Sequence, residues 1–325
     1  MAVSPTPELW KSDLDITVET STNSSSDPVA EAHREIVSFD VIIILSLVIA
    51  LVGLVGNSIV LWLLGFRIQR SPFSVYILNL AASDTLFLGS FFLFCMWDIV
   101  GDSYAVADLL WSCILYTPYW VGLSLLAVIS TERCLSVLFP IWYRCHRPKH
   151  MSMAVCTALW ALPVLYWGAF VTFKSLGNYH AYVFNRGLLF LRIGWFALLT
   201  CVMSVSSLTL ALRVQCSSQR RQPPRLYLLI LFTVLVFLLF GLPLWIFDSL
   251  GFFIDFSLIP PGLPWLLGCV NSSANPFIYF FLGSQWCRRG REPLRVVLQR
   301  ALGEEQVEGV GSRDTSYTNT VDKLS

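Results

Sequence analysis

Seven stretches of the chain are apolar for long enough to cross a membrane as helices, at approximately 39–66, 73–97, 109–139, 151–173, 187–212, 226–250 and 258–282. A hydrocarbon core of about 30 Å asks for about 20 apolar residues in a helix. No alternating segments of about ten residues suggest a barrel, so helices must satisfy the backbone inside the bilayer. Composition agrees: 55% of residues are hydrophobic and 13% charged, where a soluble domain carries roughly 25% charge. Mean hydropathy is +0.65. That leaves too little charge for a water-facing surface and too much apolar material for disorder over most of the length. Lys and Arg number 22 against 21 Asp and Glu, a net charge of +1 that argues against nucleic acid as a partner. The expected fold is an all-α membrane protein with a seven-transmembrane helix bundle at 39–283.

The flanks read differently. Residues 1–38 are polar and rich in Ser and Thr, an expected disordered tail with a glycosylation sequon at Asn23. The first apolar stretch starts too late and runs too long for a cleaved signal peptide. A second sequon, at Asn271, lies inside the seventh stretch and out of reach of glycosylation. Arg67 and Arg70, then Arg144, Arg147 and Lys149, then Arg213, Arg220, Arg221 and Arg225 occupy the odd-numbered links. Arg288, Arg289, Arg291, Arg295 and Arg300 follow the last stretch. The positive-inside rule then puts the N-terminus outside and the C-terminus in the cytoplasm, in a multi-pass protein of the plasma membrane. Residues 284–302 place Leu294, Val297, Leu298 and Leu302 near helical spacing with Arg between them. This is expected to be a short amphipathic eighth helix on the inner leaflet lipids. Cys287 at its start is either a palmitoylation site or a plain thiol. Residues 303–325 read as a disordered cytoplasmic tail open to phosphorylation at Thr315, Ser316, Thr318 and Thr320.

Several polar residues stand where the bilayer makes them expensive. A carboxylate at mid-membrane costs about 2.5–3.5 kcal/mol on insertion scales, and Asp84 is the most deeply placed acid. Asn57, Asn271 and Asn275 are its expected partners, the last two sharing a face at four-residue spacing. The cluster is either interhelical glue or a cation or proton site. Pro163, Pro243 and Pro276 each free the carbonyl four residues back, at Leu159, Leu239 and Ser272, and should kink their helices. Gly241 beside Pro243 weakens the sixth stretch further. Glu132 and Arg133 are neighbours at the inner end of the third stretch, where acid and base can offset part of each other's desolvation. The alternative is a snorkelling interfacial pair. Cys95 and Cys113 fall near the outer ends of adjacent stretches, where free thiols and a bridge are both open. No phosphate loop, metal-ligand spacing or catalytic constellation appears, so no enzyme is expected, and unrelated stretches argue against a transporter.

Gly56-Asn57, Leu80 to Asp84, Glu132-Arg133-Cys134, Trp160, Pro243 and Asn275-Pro276-Phe277-Ile278-Tyr279 fall one set per helix. In that order they resemble a rhodopsin-like (class A) G-protein-coupled receptor. Longer strings such as Leu61–Arg67, Pro72–Leu80, Ile129–Leu138, Pro140–Pro148, Asn271–Pro276 and Val296–Leu302 resemble the Mas-related receptors more narrowly. The resemblance implies a receptor that binds an extracellular peptide or small amine and activates heterotrimeric G proteins as the sixth helix swings. It implies an activation switch at Glu132, Arg133, Gly241, Pro243, Asn275, Pro276 and Tyr279, and receptor kinases and arrestin acting on the tail. Roles in nociception, itch or mast-cell responses come from likeness alone. An atypical or constitutively active receptor is the alternative, with a transporter behind it.

Departures from the wider pattern shape the expectations. The usual aromatic after Glu132-Arg133 is Cys134, the sixth-helix tryptophan is Gly241, and the fifth-helix proline is Cys201. Asp108 stands about where a third-helix cysteine is common, and Gly122 where many receptors carry a serine near bound sodium, leaving a sodium ion at Asp84 an open question. Without a large side chain at Gly241, a shallow outer pocket is expected. Ligand contacts are sought at Asp98, Asp108, Cys113, Asp248 and Arg192. With Asp102 and Asp255 these acids form a rim that attracts a basic peptide or amine. Arg192 instead suits an acidic ligand, or snorkels.

Overall fold

The computed structural model describes residues 28–68, 71–100, 105–148, 150–176, 179–216, 225–250, 259–260, 262–284 and 293–301. Asn23, Cys287, the tail beyond 302 and the cytoplasmic-type arginines at 220 and 221 lie outside them. Among the described residues every regular element is helical. In chain order they are α1 (Pro28–Trp62), α2 (Pro72–Val100), α3 (Ala105–Leu138), α4 (Pro140–Cys145), α5 (Met151–Leu176) and α6 (Tyr179–Cys216). Then follow α7 (Arg225–Val236), α8 (Leu242–Leu250), α9 (Leu263–Ser284) and α10 (Leu294–Ala301). Wide π-helical turns extend α1 at Leu63–Arg67 and join α7 to α8 at Phe237–Gly241. The sixth span is therefore α7, a π-turn and α8 in series.

Six of the spans are long and apolar enough to cross a membrane on composition alone. The seventh, α9, has 22 residues and so reaches about 33 Å at 1.5 Å per residue. Its hydropathy is diluted by Asn271, Ser272, Ser273 and Asn275, all buried. These polar groups face neighbouring helices instead of lipid. The surface they avoid is covered by Ile44, Val55, Leu165, Leu191, Val205 and Leu208, each well exposed. An apolar belt of that extent is a membrane-facing surface.

The third span is the axis of the bundle. In its most apolar stretch 72% of residues are buried, against 17% in the first span. It packs on α2, α5, α6 and the sixth span, while α1 closes on α2 and α9. Small residues allow the α1–α9 approach: a methyl placed on Gly53 would overlap the Ser273 hydroxyl, and one on Gly56 would sit 3.1 Å from the Pro276 ring. Ser273 donates to the Ile49 carbonyl at 3.1 Å across the same seam. Between α3 and α6, Ser130 and Ser206 share a hydrogen bond of 2.7 Å. Close backbones and buried hydroxyl bonds are how helices associate where lipid removes the hydrophobic drive.

Three sequence expectations change here. The first helix starts at Pro28, so residues 28–38, assigned to the tail, extend it. Proline is favoured in a helix's first turn, and the chain from 29 to 38 holds no breaker. The helix expected over 284–302 is interrupted at Pro293, with α10 at Leu294–Ala301, while 285–292 lie outside the described residues. Its Val297 and Leu298 are buried against the bundle, whereas Leu294 is exposed. Finally, α3 contains a fourth intramembrane proline, Pro118.

Candidate functional site

The bundle has a near end, where α1 starts, and a far end, where α3 finishes. At the near end a cleft of about 280 Å3, counted to its open mouth, is lined by Tyr116, Tyr119, Trp120, Trp167, Arg192, Phe196, Trp245 and Asp248. Its walls come from α3, α5, α6 and α8. The rings pack on one another: Trp120 meets Phe196 with centroids 5.4 Å apart, Phe196 meets Trp245 at 5.0 Å, and Tyr116 stacks on Trp167 at 5.9 Å. Such contacts make a rigid apolar wall. The charge in it is an ion pair, Arg192 Nη1 to Asp248 Oδ2 at 2.6 Å, and Arg192 Nη2 also donates to the Asp248 carbonyl at 3.2 Å. The Tyr116 hydroxyl donates to the same carboxylate. Arg192 therefore turns inward across the helix packing, and does not snorkel.

The cleft floor touches the sixth span. Tyr119 donates its hydroxyl to the Gly241 carbonyl at 2.5 Å. Gly241 ends the π-turn, in which the Leu242 N–H reaches back to the Phe237 carbonyl. Pro243 has no N–H to give, so the turn ahead of it is wide where a regular helix would have continued. No side chain fits easily at Gly241: an added methyl would lie 3.0 Å from Asn271 Oδ1 and 3.2 Å from Leu123 Cδ2.

Below this floor lies the intramembrane polar cluster. Asn275 Nδ2 donates to Asp84 Oδ2 at 2.8 Å, and the Ser272 hydroxyl bonds the same carboxylate. Asn57 Nδ2 donates to the carbonyl of Ser272 at 3.0 Å, the group that Pro276 frees. Asn57 and Asn271 thus do not bond Asp84 directly, correcting the expected partnership. Asn57 is occupied by backbone, and Asn271 points its oxygen at Gly241. The oxygens of Asn57, Asn271 and Asn275 are buried and lack hydrogen-bond partners. Tyr279 is buried as well.

At the far end Glu132 is held by three groups. Tyr76 donates at 3.1 Å, Tyr143 at 2.8 Å, and Arg147 forms the ion pair at 3.2 Å. The expected balance between Glu132 and its neighbour Arg133 is corrected: successive helical residues do not face one another, and Glu132's counter-charge comes from Arg147. The Arg133 guanidinium instead lies over the Phe73 ring, 3.3 Å from its centre. Arg147 Nη2 also donates to Ser152 at 2.7 Å, and Ser152 to the Pro72 carbonyl at 2.9 Å. One clasp thereby joins α2, α3, α4 and α5. Burial and the bond to Glu132 raise the Tyr143 pKa above its ordinary value. Burial also works against the Arg147 charge, but Glu132 outweighs it and the guanidinium's pKa rises.

The structure thus brings Arg192 and Asp248 together in the cleft. Cys113 is a half-buried free thiol and Cys95 is unbridged, so no disulfide joins them. Asp98 and Asp108 lie on the helical backbone of α2 and α3, with side chains outside the described residues, as are Asp102 and Asp255. The cleft aromatics Tyr116, Tyr119, Trp120, Trp167, Phe196 and Trp245 were not singled out by sequence. Their signal, aromatic side chains in a chain that is 14% aromatic, is diluted among many lipid-facing rings.

Residues 56–279 match the family model described as 7 transmembrane receptor (rhodopsin family). The chain is 42% identical to Mas-related G-protein coupled receptor member D of Macaca fascicularis, across 93% of this chain and 96% of that one. It belongs to the Mas-related G-protein-coupled receptors. Member X1 of Homo sapiens is 43% identical, across 82% of this chain and 85% of its own. Member X2 of Rhinopithecus bieti is 43% identical, across 85% and 88%. This Mas-related receptor is therefore a multi-pass membrane protein and a signalling receptor, not an enzyme. Membership implies an extracellular ligand and coupling to a G protein.

Proposed function

We propose that an extracellular ligand enters the near-end cleft and moves the sixth span, so that the far end opens to a G protein. The near end then faces outward and the C-terminus the cytoplasm, as the arginines of the odd-numbered links favour. The Tyr119–Gly241 hydrogen bond carries the reading. A ligand that displaces Tyr119 or Trp245 alters contacts of α8 and of the π-turn at once. The far-end clasp is the other half: it holds Glu132 while Arg133 rests on Phe73. Splaying of α7 opens the space beside Arg133 to the partner. The basic peptide or amine expected from an acidic rim would have to take Asp248 away from Arg192.

The cation at Asp84 is a second element of the proposal. The carboxylate is buried, no ion pair reaches it among the described residues, and unpartnered amide oxygens of Asn271 and Asn275 lie on the neighbouring helix α9. Asp84 and the oxygen of Asn275 would hold such an ion, which supplies the positive charge a buried carboxylate requires. The Thr and Ser cluster at 315–320 is the proposed substrate of receptor kinases, with arrestin following.

The test is G-protein activation in cells expressing the chain, challenged with basic peptides, amines and carboxylic acids, with Arg133→Ala as the control. A ligand-dependent signal lost in Arg133→Ala at equal surface expression is the expected outcome. An undiminished signal in that variant would overturn the coupling mechanism. Sodium titration of the wild type against Asp84→Asn checks the cation, which is discarded if both respond alike.

A further inference from the structure

The buried side-chain atoms of the cleft that lack any hydrogen-bond partner are all donors. Arg192 Nε, Trp167 Nε1 and Trp245 Nε1 are buried and have no hydrogen-bond partner. All three residues line the same cleft. Trp167 is only 7% exposed, so water does not readily satisfy it. The charged acceptor there is already engaged. Asp248 receives Arg192 and Tyr116, and Tyr119 spends its proton on Gly241. The unpartnered buried oxygens of Asn57, Asn185, Ser249, Asn271 and Asn275 do not line the cleft.

Buried N–H groups without acceptors are rare because each keeps its full desolvation cost. A site that concentrates them is shaped for a ligand that brings acceptors. An ammonium group has donors only. It would meet three unpartnered N–H groups and the Arg192 charge, and the carboxylate it would seek, Asp248, already holds Arg192. A carboxylate has two oxygens and about four lone-pair positions. It can take Arg192 Nε while the ion pair stays in place, at the cost of a second negative charge near Asp248, because guanidinium presents five N–H donors and Asp248 engages only Nη1 and Nη2.

Resting on the reading of this cleft as the ligand site, we infer that its ligand is a small carboxylate carried on a flat apolar body. The oxygens accept from Arg192 Nε and from the indole N–H groups of Trp167 and Trp245. The body lies among Tyr116, Trp120 and Phe196, where ring faces favour stacked or edge contacts. Long peptides can reach the cleft only with a terminal carboxylate or an acidic side chain.

The test uses the purified full-length receptor and three matched probes: indole-3-acetate, indole-3-acetamide and tryptamine. Thermal stabilisation is followed as each is titrated, with G-protein activation measured in parallel. Indole-3-acetate should stabilise at the lowest concentration, the amide more weakly, and tryptamine least. Trp167→Phe and Trp245→Phe keep the ring and remove the N–H, and each should raise the half-maximal concentration of the acid by roughly tenfold. Arg192→Lys keeps the charge, removes Nε–H and should do the same. Stabilisation by the acid without G-protein activation supports the carboxylate site and counts against the coupling reading alone. Preference for tryptamine, silence from all three probes, or an acid response unchanged in every variant overturns the inference.

Discussion

Arg147 and Glu132 are fifteen residues apart in sequence, yet their side chains meet at 3.2 Å with only 6% and 7% of their surfaces exposed. A link residue thus neutralises the acid at the end of the axial helix. Removing one partner of a buried pair typically costs about 3–5 kcal/mol, because the other charge stays behind. Arg147→Ala should therefore lower the melting temperature of the solubilised receptor and raise ligand-independent signalling. Adding Glu132→Gln should recover part of the lost stability, a coupling that a double-mutant cycle measures directly. Strict additivity of the two substitutions would rule the clasp out.

The α1–α9 seam has no room for a methyl group. Gly53→Ala puts its Cβ onto the Ser273 hydroxyl and within 2.7 Å of Leu88 Cδ1. Surface expression should fall severalfold, and Ser273→Gly in the same chain should restore part of it. Equal expression of Gly53→Ala and wild type would show that the helices are not this close.

Tyr119→Phe removes the hydroxyl from the Gly241 carbonyl and changes nothing else in size. An unmet buried polar group costs about 1–3 kcal/mol, charged here to the resting arrangement of the sixth span. Basal G-protein activation should rise, while Tyr116→Phe, whose hydroxyl serves Asp248, should leave basal activity nearer wild type. Matching basal levels in the two variants would separate the cleft floor from the switch.

Helix number and the depth of Asp84 are legible in sequence because hydrocarbon penalises a mistake in either. Twenty apolar residues have one stable way to be buried in a bilayer, and a carboxylate among them demands a partner, found at Asn275. Pro276 likewise announces an orphaned carbonyl at Ser272, which Asn57 takes up. Arg147 was illegible for the opposite reason. Positive charge in a cytoplasmic-type link is explained already by the positive-inside rule, so its bond to Glu132 leaves no further trace in the sequence. The same holds for Trp167 and Trp245: tryptophan is common at membrane interfaces, and only packing reveals indole N–H groups without acceptors. Arg192 depended on direction. A long side chain near a helix end can reach water or a carboxylate on the next helix, and only the rotation of α8 decides.

That rotation is set by the π-turn at Phe237–Gly241. Each residue of an α-helix advances the face by about 100°, so one additional residue taken up in a wide turn leaves α7 and α8 out of phase. The sixth span is in effect two faces written in different frames. The frame of α8 aims Trp245 and Asp248 into the cleft, while that of α7 sets its contacts with α9 and α10. Residue-by-residue exchange along this helix therefore preserves both faces, whereas losing a single position between 237 and 241 would bring the frames into register and swing Asp248 away from Arg192.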